Sequence, residues 1–358
     1  MELSKNKKPN LIYFIGPNFT VHSLAKESLK SLSKKYNIIC VSEGPAIEEL
    51  FFIHKVIKFK RNPSLIYDLI SLCQIFSIVN QYKDALIVTS TPKISFIVSL
   101  VSFLLRRDYR YIHRGAVYQN FSGVKAKIYK NIDKFIIKNS FATSFISKSL
   151  YNYVTTELGL NIKNNRVLNS SKGVDIDLFQ PTNIGKINNP IVVGYLGRVC
   201  EDKGLDDLLN LINDKRSKNI KIKIQGRLEI KDRNSFLKEL SNNNIEYTDW
   251  DDRPEKFFNK IDILFFPSKR EGFGNVAMEA AAMGIPTVAN NIIGVKDAIE
   301  NEVSGILVNK DESIIEKLFS LIENEDHLID LKTTSRLHAE KNFDQQKVLY
   351  DLHSSLKI

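Results

Sequence analysis

The sequence predicts an α/β protein of two domains, each a parallel sheet covered by helices. Short apolar runs alternate with helix-like stretches, the pattern that lays helices over both faces of a parallel sheet. The alternation happens twice, on either side of a polar segment at 171–190 that has no periodicity. The length, 358 residues, is too great for one ordinary core and fits two of about 150–200 residues each.

In the first half, "LIYFIG" (11–16) reads as a buried strand ending at Gly16. A helix at 22–34 and a strand, "YNIICVS" (36–42), follow. "DALIVTS" (84–90) is a strand, 94–105 a helix and "YRYIHRG" (109–115) a strand. A basic helical stretch leads to the strands "FATSFIS" (141–147) and "NNRVLNSS" (164–171).

In the second half, the expected strands are 191–197, 220–226, 261–268, 286–290 and 305–308. Helices fall near 204–215, 232–241, 275–283 and 312–324, and a last one at about 344–356. The domains are therefore expected at 1–172, joined by the C-terminal helix at about 343–358, and at 191–342. The linker between them is expected at 173–190.

Hydrophobic residues make up 43% and charged residues 26%, a folded rather than a disordered balance. The three cysteines, Cys40, Cys73 and Cys200, show neither a disulfide framework nor zinc spacing, which suits a reducing cytoplasm. The basic leader lacks a signal peptide's apolar segment, and the run 94–105 is too short to span a bilayer. The net charge of +10 leaves nucleic acid, anionic lipid, a phosphorylated substrate or a merely solvated surface as explanations. No nucleic-acid-binding motif supports the first. A dinucleotide-dependent dehydrogenase is disfavoured too, because no G-x-G-x-x-G follows the first strand of either half.

Chemistry concentrates in two places. In "SKREGFGNVAMEAAAMGIPTVANN" (268–291) a strand meets a turn and then a helix. Gly272, Phe273, Gly274, Asn275 and Val276 lie at the helix start, where backbone amides and the helix dipole favour an anion such as phosphate. Glu279 sits about 6 Å further along the axis, and Glu271 on the preceding loop. A diphosphate at the amides, ribose hydroxyls at Glu279 and sugar hydroxyls at Glu271 would match a nucleotide sugar. A buried ion-paired Glu279 and a solvated Glu271 would also fit the sequence. In "GYLGRVCEDKGLDDLL" (194–209), Arg198 and Lys203 stand at a strand-to-helix turn and could neutralise a diphosphate, unless Lys203 only pairs with Glu201 or Asp202.

Together these motifs resemble the retaining glycosyltransferases of family 4, which have the GT-B fold. The likeness covers most of the second half: "GRVCEDKG", the E-x7-E run "EGFGNVAME", "AAAMGIPTVANN" and "GVKDAIENEVSGILV". "SKGVDIDLF" (171–179) resembles the family's interdomain signature, with Lys172 where Asn is usual.

The resemblance implies two Rossmann-like domains facing each other across a cleft, with the C-terminal helix packing back toward the first. It implies that Arg198 and Lys203 hold the donor diphosphate, Glu279 the ribose and Glu271 the donor sugar, without a metal or other cofactor. Gly16 would approach the donor, His113 would contact the donor sugar, and Arg114 could meet an acceptor phosphate. Arg227 falls where relatives place residues near the base. Tyr247 and Trp250 could border that base or simply pack, and "DWDD" (249–252) reads as a loop beside it rather than a metal site.

The expected reaction moves a hexosyl group from a UDP- or GDP-sugar to an acceptor hydroxyl with retention. Basic and aromatic residues across 106–138 suggest a polyprenyl-diphosphate-linked acceptor at the inner, anionic face of the cell membrane, in O-antigen or capsule assembly. A soluble acceptor, or a nucleotide-sugar epimerase on the same fold, is the alternative.

Overall fold

The computed structural model describes residues 8–356, apart from 46, 48, 50, 61, 163, 171, 183, 184 and 244. Residues 1–7 of the basic leader and Ser171, Asn183 and Ile184 of the expected linker lie outside the described residues. The chain divides into two compact units, one ending at Lys172 and resuming at Val348, the other running Gly173–Lys347.

The first unit holds β1 (Asn10–Pro17), β2 (Asn37–Glu43), β3 (Ile53–Val56), β4 (Leu86–Ser90), β5 (Tyr109–His113), β6 (Ala142–Phe145) and β7 (Asn165–Val167). They form one sheet in the order β3-β2-β1-β4-β5-β6-β7, with every pairing parallel. Residues 11–15 of β1 are all inaccessible to solvent, as expected of a central strand covered on both faces. The C-terminal helix Gln345–Leu356 joins this unit. Arg110 Nε donates to the Leu356 carbonyl at 3.1 Å, and Ser144 Oγ to Ser355 Oγ at 3.0 Å.

The second unit holds β8 (Val192–Leu196), β9 (Lys221–Gln225), β10 (Glu246–Thr248), β11 (Ile263–Phe266), β12 (Thr287–Asn290) and β13 (Gly305–Val308). Their order is β10-β9-β8-β11-β12-β13, again all parallel. Val193, Ile224 and Phe265 of the sheet pack with Leu208, Leu318 and Leu331 of the covering helices.

The two-domain α/β reading of the sequence holds. It misses β3 and β10, short edge strands without an apolar run. Among the longer helices it also misses Leu65–Gln81, Lys148–Leu158 and Glu325–Phe343. The last has almost no apolar stripe because it buries Lys332 and Ser335 among its core residues. The start of the expected linker is not loose chain. The Val174 amide donates to the Phe343 carbonyl at 2.8 Å, and the Gln345 amide to the Val174 carbonyl at 3.0 Å.

In each sheet the strand order reverses once, between β1 and β4 and between β8 and β11. Loops at that point diverge beyond the carboxyl ends of the strands and leave a crevice where open α/β sheets take ligands.

Candidate active site

In the second unit the reversal point brings together the turn after β8 and the loop after β11. Gly204 follows Lys203 with φ +79°, and a Cβ there would lie 2.2 Å from the Pro267 carbonyl oxygen. Only glycine lets this turn touch the end of β11. Beneath it, the Tyr195 hydroxyl lies 2.7 Å from the Arg198 carbonyl and 3.3 Å from that of Lys203. Burial pushes the Tyr195 phenol far above its ordinary range, so it stays a hydrogen-bond donor there.

Each cation has carboxylate partners. Arg198 donates through Nη1 to Glu229 at 2.6 Å and through Nη2 to Asp202 at 3.2 Å. Asp202 also accepts from the Cys200 thiol at 2.8 Å. Burial, then the bond to Asp202, pushes that thiol up to about 11. Burial works against the Asp202 charge, but the Cys200 bond and the Arg198, Lys203 and Arg270 cations hold Asp202 below the usual carboxylate range. Lys203 Nζ donates to Glu271 Oε1 at 2.5 Å, and the same oxygen accepts from Ser268 Oγ at 3.0 Å. Lys203 thus pairs with Glu271, and Asp202 with Arg198.

The helix Asn275–Ala282 follows. Its first internal bonds run from the Ala277 and Met278 amides to the Gly274 carbonyl, at 3.0 and 3.2 Å. The amides of Asn275 and Val276 therefore precede the helical ladder, as at any helix start. Glu279 is buried within the helix, at 7% exposure. The Phe273 ring is buried and meets Phe343 edge-on, with centroids 5.6 Å apart. Phe273 thereby anchors the loop through its side chain. Gly294 (φ +84°) backs the same loop, and a Cβ on it would lie 2.7 Å from the Gly272 oxygen.

Arg227 is exposed at the end of β9, and its carbonyl accepts from the Val199 amide at 2.9 Å. The Tyr247 hydroxyl donates to the Gly226 carbonyl at 3.0 Å, a packing role. Among the described residues, no group of three or more His, Cys, Asp or Glu is placed to hold a metal.

In the first unit, Gly16, His113 and Arg114 lie at the carboxyl ends of β1 and β5. The Gly16 amide donates to Thr91 Oγ1 at 3.0 Å. Arg114 is tethered by Ser90 Oγ at 2.6 Å and the Tyr13 hydroxyl at 3.3 Å. His113 is fully buried; its Nε2 lies 2.8 Å from Asp133 Oδ2 and its ring stacks on Phe145.

Residues 179–338 match the family model described as glycosyl transferases group 1. The matched residues span most of the second unit, which is thus similar to group 1 glycosyltransferases.

Over 322 residues the chain is 29% identical to the capsular polysaccharide biosynthesis glycosyltransferase CapM of Staphylococcus aureus, with 84% of each chain covered. The structure of Anabaena HepE in complex with UDP and glucose matches with a TM-score of 0.78 at 16% identity, over 98% of this chain and 99% of that one. Sucrose-phosphate synthase of Thermosynechococcus elongatus matches with a TM-score of 0.78 at 14% identity, over 97% and 98%. The fold is the GT-B architecture of these structures.

In this domain the structure brings the expected Lys203 and Glu271 into contact, with Arg198 on the same turn as Lys203. Sequence reasoning does not name Tyr195, Glu229 or Ser268, which bond to these residues. Their types are common, and only the tertiary arrangement selects them.

Proposed function

We propose that this glycosyltransferase moves a hexosyl group from a nucleotide diphosphate sugar to an acceptor hydroxyl with retention of configuration and without a metal. The observation that carries the reading is the contact between Lys203 and Glu271 beside the start of the helix Asn275–Ala282, with Arg198 on the same turn as Lys203. A diphosphate placed there meets two side-chain cations and a helix N-terminus. Negative charge grows on the departing diphosphate as the sugar leaves, so preorganised cations stabilise the transition state more than the ground state. Glu271, tied to both Lys203 and Ser268, is held to receive hydroxyls of the sugar. Glu279 would take the ribose; His113, fully buried against Asp133, is left out of the donor contacts.

The likeness to a capsular polysaccharide biosynthesis glycosyltransferase supports a role in assembly of a surface polysaccharide, and the acceptor we propose is a lipid-linked saccharide. No helix among the described residues is long and apolar enough to cross a membrane. The helix Gly123–Asn139 exposes Val124 and Ile128 beside Lys125 and Lys127, which favours peripheral docking on an anionic surface.

A thermal-shift titration with UDP and GDP tests the donor site, since a ligand that binds the native state raises the melting temperature. One nucleotide raises it in the wild type and fails to do so in Arg198→Ala. A wild type indifferent to both discards the reading. Co-sedimentation with anionic vesicles at low salt tests the docking, and absence of binding removes it.

A further inference from the structure

A second concave site lies in the same domain. Beside β9 and β10 the following segment, Pro254–Phe258, is a helix of only five residues, and a groove opens between them. The groove measures about 770 Å³, within the range of small-molecule sites, and Gln225, Trp250 and Lys260 are among the residues lining it. Neither Arg198, Lys203 and Arg227 nor the loop 271–276 lines it.

Its chemistry is unlike that of the diphosphate site. Four acidic and four basic side chains line it, so it carries no net charge to draw an anion or a metal. Several of these charges are already paired: Lys223 with Glu246, and Arg253 with Asp251. Trp250 is 45% exposed, and its indole N–H is fixed on Asp252 at 2.8 Å. An immobilised, accessible indole suits the apolar face of a sugar ring. Gln225 lines the groove at 7% exposure, and its Nε2 is buried without a hydrogen-bond partner among the described residues. A buried amide in that state demands an acceptor.

We infer that this groove binds a neutral oligosaccharide, with a pyranose ring on Trp250 and a hydroxyl oxygen accepting from Gln225 Nε2 once that buried amide turns out into the groove. This site goes beyond the donor reading and does not depend on it. Trp250 is the chain's one tryptophan, so its fluorescence reports on the groove directly.

The full chain is titrated with neutral oligosaccharides of glucose, galactose and N-acetylglucosamine, up to about 10 mM. At least one gives a saturable emission shift that excess UDP leaves unchanged. In Gln225→Leu the affinity falls about tenfold or more. Trp250→Ala, a change at an exposed position, abolishes saturation-transfer NMR signals from the same sugar. Absence of any shift overturns the inference. So does displacement of the sugar by UDP, which would assign the groove to the nucleotide, or retention of binding in both variants. Loss of the UDP thermal shift in Arg198→Ala, with sugar binding intact, separates the two sites.

Discussion

Lys203 Nζ lies 2.5 Å from Glu271 Oε1, joining the turn after β8 to the loop after β11. Both side chains are less than one-fifth exposed, so the pair is shielded enough to matter more than a surface ion pair. Removing either partner leaves the other charge largely buried without its counter-ion. Lys203→Ala is expected to lower kcat by two or more orders of magnitude, an electrostatic loss of about 3 kcal/mol or more. Glu271→Gln keeps the shape but not the charge and should lower kcat while UDP binding persists. Steady-state kinetics with a nucleotide-sugar donor check both.

Gly294 tests the loop without touching it chemically. Gly294→Ala puts a methyl group 2.6 Å from the Gly272 carbonyl carbon, at a φ of +84°. Backbone strain of this kind costs about 1–3 kcal/mol, and the glycine loop must shift to relieve it. The expected result is a folded variant whose UDP affinity is at least about tenfold weaker by calorimetry.

His338 makes the second domain sensitive to mild acid. It is nearly buried, and burial pulls its pKa below the ordinary 6.5 even though Glu300 pulls the other way. Below that value the unfolded chain takes up a proton that the folded chain resists. Stability is therefore complete above 6.5 and lost as the pH falls through the folded value. His338→Gln should flatten the decline in melting temperature between about pH 6.5 and pH 5.

Arg336 is a stability prediction. One of its nitrogens, Nη1, donates at 2.5 Å to the carbonyls of both Phe179 and Ala282, and Nε bonds Glu340. It thus ties the segment after Gly173 to the C-terminus of the helix Asn275–Ala282, where a cation also favours the helix dipole. Arg336→Ala strips these carbonyls of a charged donor and should cost about 2–4 kcal/mol in denaturant unfolding.

The parallel sheets were legible because central strands such as β1 and β11 are unbroken apolar runs between turn residues. Edge strands β3 and β10 were not, since half-exposed strands need no apolar run. Arg198, Lys203 and Glu271 stood out because charges beside glycines at strand-to-helix turns have few purely structural uses. The pairing of His113 with Asp133 was hidden, because Asp133 sits within the basic helix Gly123–Asn139 and only packing reveals its inward face. The groove beside Trp250 is a property of three-dimensional arrangement that a residue pattern does not encode.

The return of the chain from Val348 to the first domain makes that domain discontinuous in sequence. Residues that cap its sheet, such as Ser355 against Ser144, leave the ribosome after the entire second domain has been made. During synthesis the second domain can settle first, while the earlier half waits, with β6 partly uncovered, for its final helix.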